Sequence, residues 1–137
     1  MKRKINIEQN KSINELKKEF NNFYQYLKIE FFKEPCIKGG RLSKDKLITS
    51  NAKVGTLQKI KNSGELLFTD DTIVGDFEQL FFKNFGLCIQ VFRKSGNVWL
   101  ETSATDNWSL ETQNEEGKSL AQHWNIEREN TDDHDIY

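Results

Sequence analysis

The sequence contains few of the patterns that usually reveal a catalytic, metal-binding or membrane function. Its two cysteines, Cys36 and Cys88, lie far apart and form no Cys-x-x-Cys or Cys/His spacing, so we expect a reduced, cytosolic protein. Residues 1–10 lack the apolar segment of a signal peptide. No apolar run approaches the length of about 18 residues that a membrane span needs. These absences predict a cytoplasmic protein that does not enter a membrane.

Residues suited to catalysis are equally sparse. The two histidines, His123 and His134, are far in sequence from Cys88, so no base stands beside that thiol for nucleophilic catalysis. Residues 132–135 could bind a metal ion weakly, but a floppy acidic tail explains them better. We therefore assign no catalytic, metal-binding or cofactor-binding residue. A small enzyme with an unrecognised site is the third of three functional hypotheses.

The charged residues are unevenly distributed along the chain. Residues 1–61 contain 15 Lys and Arg against 6 Asp and Glu, a net charge of +9. Residues 62–137 contain 5 against 15, a net charge of −10. Three interpretations stay open: the halves face each other within one molecule, they pair between molecules, or the basic half meets an anionic partner.

The stretch 65–102 is the most regular part of the sequence. A short apolar strand is followed by Asp70-Asp71, a turn signal, and by Thr72, a good helix N-cap. Gly86 marks the end of that helix, because glycine readily adopts the left-handed conformation found there. Residues 87–92 then alternate as a strand does, and a hairpin returns through residues 98–102. One helical face carries Ile73, Phe77, Leu80 and Phe81.

Residues 4–33 resemble residues 64–93 when the chain is shifted by sixty positions. Ile29 then aligns with Ile89, and a slip of one residue inside the helix aligns Phe20 with Phe81. Ser12 and Glu15 form a capping box that marks the first helix clearly. We interpret the two segments as an internal repeat; the alternative is convergence of two βαβ units on the same capping and alternation rules.

The predicted element order is β-α-β-(α)-β-α-β-β-α, an α+β fold. Two tandem βαβ units sharing one mostly antiparallel sheet indicate a ferredoxin-like plan, with a β-grasp-like arrangement as the runner-up. An extra hairpin strand and a short helix ending at Gly117 follow the second unit. Residues 1–126 would form a single domain, and residues 127–137 an acidic, disordered tail.

The sheet surface turned away from the helices is the most plausible place for function. If Leu87, Ile89 and Val91 point to the helices, the reverse surface is rich in aromatic and polar side chains. Three alternatives stay open: the C-terminal segment with Trp108, Leu110 and Trp124 covers it, a protein binds it, or nucleic-acid bases stack on it. The candidate partner-binding residues at or beside it are Phe32, Gln90, Phe92, Arg93, Trp99 and Glu101.

A basic loop at residues 34–48 is the other candidate binding element. Its segment GGRLSK (residues 39–44) lacks the spacing of a phosphate-binding P-loop, so a solvated loop is the simpler interpretation. Nucleic-acid binding by the basic half is nevertheless the second functional hypothesis. Its candidate residues are Lys28, Lys33, Lys38, Arg41, Lys44 and Lys46.

The segments QVFRKSG (residues 90–96), WLET (residues 99–102) and TDNWSLETQN (residues 105–114) carry a resemblance. The block is similar to one in an uncharacterised family of small bacterial cytosolic proteins with no known activity. The resemblance is clearest over residues 65–117 and implies bacterial, cytosolic origin without assigning a role to any residue. The leading functional hypothesis is therefore a non-enzymatic module for protein–protein interaction or self-association.

Overall fold

The computed structural model describes residues 2–33 and 44–134, with side chains described as far as residue 123. Five strands and four α-helices follow the predicted order, and two short 3₁₀ turns occur at Lys44–Lys46 and Ser103–Thr105. The fold is α+β, as predicted. The strands are β1 (Lys2–Ile7), β2 (Leu27–Phe32), β3 (Gly64–Thr69), β4 (Cys88–Ser95) and β5 (Val98–Glu101). The helices are α1 (Ile13–Phe23), α2 (Val54–Leu57), α3 (Val74–Phe85) and α4 (Leu110–His134).

The start of α1 and the end of α3 have local chemical causes, whereas α3 follows Ile73 and the predicted cap Thr72 instead accepts a hydrogen bond from the Thr69 N–H. Ser12 accepts a hydrogen bond from the backbone of Glu15 on its side-chain oxygen, and the Glu15 carboxylate accepts one from the Ser12 N–H, so the predicted capping box is present. Gly86 ends α3 with a φ of 64°, a conformation that residues with a Cβ rarely adopt. Both ends therefore lie within one residue of where the sequence predicts them.

The described strands form two antiparallel sheets, one with the order β1–β3 and one with the order β2–β4–β5. The tandem βαβ plan is confirmed, but the expected single shared sheet is replaced by two. Each strand of the first unit pairs with its counterpart in the second unit, so the two ends of each unit belong to different sheets. Each sheet buries one face, and the apolar residues of both faces belong to a single core.

A chain of aromatic rings connects the two sheets through α3. The Phe68 ring on β3 lies 5.0 Å from the Phe77 ring, which lies 5.3 Å from the Phe81 ring. Phe81 meets the Phe31 ring of β2 at 6.2 Å, edge to face. Each such pair stabilises the fold by about 0.5–1.5 kcal/mol beyond the burial of its surface. These rings therefore hold the two sheets in a defined relation across the core.

The two βαβ units occupy equivalent positions across the β2–β4 pair. Ile29 lies opposite Val91, and Phe31 lies opposite Ile89. The shift of sixty positions aligns Ile29 with Ile89 and Phe31 with Val91. The pairs Ile29–Val91 and Phe31–Ile89 are therefore equivalent to each other, which is the relation that a two-fold axis produces. The common origin of the two units stays a prediction.

The correspondence extends to α2 and the start of α4. Val54 at the start of α2 donates its N–H to the Lys11 carbonyl oxygen at 2.8 Å. Leu110 at the start of α4 donates in the same way to the Thr72 carbonyl oxygen at 2.9 Å. Val54 and Leu110 are both fully buried. Each unit thus has a second helix start bound to the turn that precedes its first helix, a relation that the sequence comparison missed.

The C-terminal helix differs from the prediction. It continues through Gly117 as far as His134, whereas the sequence predicted a short helix ending at Gly117. A Cβ atom at position 117 would come within 2.8 Å of the Tyr26 Cβ atom, so this glycine lets α4 lie close against β2 rather than ending it. The predicted disorder of residues 127–137 stays a prediction, and residues 135–137 lie outside the described part of the chain.

Two expectations about environment have different outcomes. Cys88 is buried at the start of β4 and is disulfide-bonded, which differs from the reduced state expected from the sequence. Cys36, the other cysteine of the chain, lies outside the described residues. Within residues 2–33 and 44–134, none of the helices combines the length and the apolar composition that a bilayer-spanning helix needs. The cytoplasmic location stays a prediction.

Candidate binding face

The reverse face is defined here as the surface of the β2–β4–β5 sheet that points away from the core. In β2, Leu27, Ile29 and Phe31 are buried in the core, so the alternate residues point the other way. The registers of the three strands bring the outward side chains together. The reverse face consists of Lys28, Glu30, Phe32, Gln90, Phe92, Lys94, Trp99 and Glu101.

This face contains a concave site of about 570 Å³, which is large enough for a few side chains of a partner or for a small molecule. Of its three aromatic rings, those of Phe92 and Trp99 are half-buried and therefore accessible, whereas that of Phe32 is buried. Lys44, in the 3₁₀ turn, and Leu47, just after it, also line the site. The lining residues are Lys28, Glu30, Phe32, Lys44, Leu47, Gln90, Phe92, Trp99, Leu100 and Glu101.

Two lysines lie over the aromatic rings of the reverse face. The Lys28 Nζ atom is 5.5 Å from the centroid of the Phe92 ring and 5.1 Å from that of Trp99. The Lys94 Nζ atom is also 5.1 Å from the Trp99 centroid. At these distances the negative face of each ring attracts the ammonium group. The rings therefore hold two cations at the surface of the concave site.

Glu30 is one of the two acidic residues of the face, with Glu101, and its charge is already compensated. Its carboxylate contacts Lys17 of α1 at 2.8 Å and Lys28 at 3.1 Å. Burial acts to raise the pKa of Glu30, but the hydrogen bonds and charges of the two lysines outweigh it and hold that pKa below its ordinary value. Glu30 is therefore ionised at neutral pH and orients Lys28.

Glu78 of α3 reaches the edge of β4 beyond the end of β5. Its carboxylate accepts hydrogen bonds from the Val91 N–H at 2.9 Å and from the Gln90 side chain at 3.3 Å. Burial raises the pKa of Glu78 to about 8; the Val91 hydrogen bond opposes the rise, and the charges of Asp106 and Glu101 add to it. At neutral pH, Glu78 is thus largely protonated at the border of the reverse face.

Arg93 does not share the reverse face with the other candidate residues. It lies on the opposite side of β4, where its guanidinium donates to the Gln113 side chain at 2.9 Å and lies 5.7 Å from the centroid of the Trp108 ring. Leu110 is buried in the core. One interpretation of the sequence was that the C-terminal segment covers the reverse face, but Trp108 and Leu110 meet the opposite side of the sheet. The side chain of Trp124, the third residue of that interpretation, lies outside the described part of the structure.

The basic candidates occupy different places. Lys28 and Lys44 line the concave site. Lys33 follows β2 and donates its backbone N–H to the Lys46 carbonyl oxygen at 2.8 Å, so these two lysines flank the end of that strand. Lys38 and Arg41 lie outside the described residues. Of the six predicted cations, Lys33, Lys44 and Lys46 thus lie at or near the end of β2, whereas Lys28 lies near its start.

Sequence reasoning overlooked two contributors to this face. Lys94 is not among the candidate residues named from the sequence, yet it lies over Trp99, and alternation along β4 places it on the reverse face. Glu78 carried no distinguishing signal, because a glutamate on a partly apolar helix reads as a surface residue. Within the described ranges, the acidic, histidine and cysteine residues form no group of three that could hold a metal ion.

Comparisons of the chain with protein-family models, with curated proteins and with solved structures found no match.

Proposed function

We propose that this chain is a non-enzymatic binding module that recognises an acidic segment of a partner protein at the reverse face. The observation that carries the proposal is the pair of lysines, Lys28 and Lys94, placed over the accessible rings of Phe92 and Trp99. Aromatic residues are enriched at the centres of protein interfaces, where they supply large contact areas at a low cost in conformational entropy.

The charges of the face favour an acidic partner. Lys28, Lys44 and Lys94 belong to or border the concave site, and Glu30 is bound by Lys17 and Lys28. A carboxylate of the partner can therefore approach cations whose positions are already restricted by the rings. Pre-ordered side chains lose less conformational entropy on binding, which strengthens the complex for a given contact area.

Selection from a random peptide library displayed on phage tests this proposal. We expect the wild-type protein to enrich peptides with an excess of Asp and Glu. The selected peptides should lose about tenfold or more in affinity, about 1.4 kcal/mol, when Lys28→Ala or Trp99→Ala replaces the wild type. Leu67→Ala is the matched control, because Leu67 is an exposed apolar residue of the other sheet. Equal binding to Trp99→Ala, or no acidic excess, would overturn the proposal.

A second candidate function, binding of single-stranded nucleic acid, is favoured by the same alternation of rings and lysines. The lysines lie over the ring faces on which bases would have to stack, which makes this candidate the weaker one. Fluorescence anisotropy of labelled oligo(dT) and oligo(U) at two salt concentrations tests it. Binding that weakens steeply with salt supports this candidate, and absence of binding at low salt excludes it.

Self-association through the oppositely charged halves is a further part of the proposal. The ion pairs Arg3–Asp70 and Lys4–Glu65 already join the halves within one molecule. Sedimentation at two ionic strengths tests the idea. A dimer that dissociates as salt is added supports association by charge, and a monomer at both ionic strengths rules it out.

A further inference from the structure

The outer edge of β5 is the open end of the β2–β4–β5 sheet. β5 is the last strand in the sheet order of the described residues. The Lys94 N–H points towards β2, since it donates to the Tyr26 carbonyl oxygen at 2.9 Å. The register pairs Arg93 with Leu100 and Lys94 with Trp99, so the backbone of Leu100 faces β4 and that of Trp99 faces outward. Trp99 thus presents its N–H and carbonyl at the sheet edge.

The edge of β4 beyond β5 is closed by side chains, which confines the open edge to β5. The Val91 N–H donates to the Glu78 carboxylate at 2.9 Å, and the Val91 carbonyl accepts from the Thr102 hydroxyl at 2.9 Å. Proteins often block exposed strand edges in such ways to prevent unwanted pairing. Within the described residues, no side chain caps the outward backbone of Trp99 as Glu78 and Thr102 cap that of Val91, and this contrast points to β5 as a pairing site.

The two sides of β5 have different chemistry. On the side away from the reverse face, Val98 and Leu100 are 51% and 44% exposed, which is high for large apolar residues. On the reverse face, the Nζ atoms of Lys28 and Lys94 each lie 5.1 Å from the centroid of the Trp99 ring. The acidic residue Glu101 lies on the same face but two residues further along β5, opposite Phe92. The positive charge near β5 is therefore centred at Trp99.

We infer that β5 accepts an extended segment of a partner as an added antiparallel or parallel strand, with an apolar–acidic–apolar pattern. The acidic side chain lies beside Trp99 near Lys28 and Lys94, and the flanking apolar side chains lie against Val98 and Leu100. The backbone of the segment pairs with that of Trp99, and the alternation of side chains supplies the specificity of such strand addition. This inference rests on the proposed function and names the form of its ligand.

Nuclear magnetic resonance with a blocked octapeptide of alternating valine and glutamate tests the inference. We expect a concentration-dependent shift of the Trp99 backbone amide and slower hydrogen exchange at that amide, because it gains a hydrogen bond. The octapeptide of alternating valine and lysine is the control, and it should bind at least about tenfold more weakly. Equal binding of the two peptides, or no shift at about 1 mM peptide, overturns the inference.

Two variants test the apolar contacts of this inference. Leu100→Asp places a negative charge on the apolar side of β5 and should reduce binding of the valine–glutamate octapeptide about tenfold or more. Leu67→Asp, at an exposed position of β3, should leave this binding unchanged. Shifts confined to Phe92 and Gln90, with no protection of the Trp99 amide, would refute strand addition while leaving a binding reverse face intact. Failure of the phage selection would instead refute the proposed function itself.

Discussion

The Nζ atom of Lys28 on β2 lies 5.1 Å from the ring centroid of Trp99 on β5, so this lysine reaches across the intervening strand β4. The contact ties together the three strands of the reverse face without a hydrogen bond. A double-mutant cycle between Lys28→Ala and Trp99→Ala, measured by urea unfolding, should give a favourable coupling of about 0.5–1 kcal/mol.

The control for this cycle uses Lys33, which is exposed just beyond the end of β2. The corresponding cycle between Lys33→Ala and Trp99→Ala should give a coupling near zero, within the error of about 0.3–0.5 kcal/mol that such cycles carry. A coupling of the same size in both cycles would show that Lys28 affects the free energy of unfolding through its charge alone and not through contact with the Trp99 ring.

Asp70 connects the start and the middle of the chain. Its carboxylate accepts hydrogen bonds from the Arg3 guanidinium and from the Tyr24 hydroxyl, both at 2.7 Å. The Arg3 hydrogen bond, followed by that of Tyr24, lowers the pKa of Asp70 below its ordinary value. Because the folded state holds the carboxylate ionised, its stabilising effect is present at neutral pH and is lost as the pH falls through the lowered pKa.

We therefore expect Asp70→Asn to destabilise the protein by about 1–2 kcal/mol at neutral pH, and the difference from wild type to shrink in acid. Urea unfolding between neutral pH and about pH 2 measures both effects. Asp71→Asn is the matched control, since Asp71 is the exposed neighbour. A loss of stability that stays constant down to the lowest pH would contradict this assignment.

Glu78 should make the stability fall as the pH rises, which is the opposite of the effect of Asp70. Its pKa is raised from 4.5 to about 8, mainly by burial. The unfolded state therefore releases this proton at a lower pH than the folded state does. The contribution of the protonated carboxyl is complete below about pH 4.5 and is lost as the pH rises through about 8. The total effect is on the order of a few kcal/mol.

Glu78→Gln removes this titration and preserves the shape of the side chain. The amide oxygen can still accept the Val91 N–H, so the variant should match wild type in acid and exceed it in stability above pH 7. Unfolding by urea at a series of pH values measures the crossover. Glu115→Gln, at an exposed position of α4, is the control and should follow the wild-type profile. A Glu78→Gln profile parallel to wild type would rule out the raised pKa.

The sequence predicts those features that depend on neighbouring residues. The start of α1 follows from Ser12 and Glu15, and the grouping of Phe92 with Trp99 follows from alternation along two strands joined by a tight turn. The division into two sheets could not be predicted in this way. It depends on pairing between strands about sixty residues apart, such as Ile29 opposite Val91, and local propensity carries no information about such partners.

The position of α4 shows the same limit for a single residue. An isolated glycine near the end of a helical pattern predicts termination about as well as it predicts close packing. Only the Tyr26 backbone, 91 positions earlier in the chain, distinguishes the two for Gly117. The raised pKa of Glu78 is likewise set by burial against β4 and by the nearby charge of Asp106, neither of which the helix sequence contains.

Gly117→Ala should destabilise the protein although alanine is the better helix former. A Cβ atom there would lie 2.8 Å from the Tyr26 Cβ and 3.1 Å from the Tyr26 carbonyl oxygen, and neither atom can move without shifting β2. Overpacking of this kind costs about 1–3 kcal/mol, which exceeds the gain of about 1 kcal/mol in helix propensity. Urea unfolding measures the difference, with Ser119→Ala on the exposed side of α4 as the control. If Gly117→Ala proves as stable as wild type, α4 does not lie against β2 as closely as described, and the reverse face loses the support of the helix behind it.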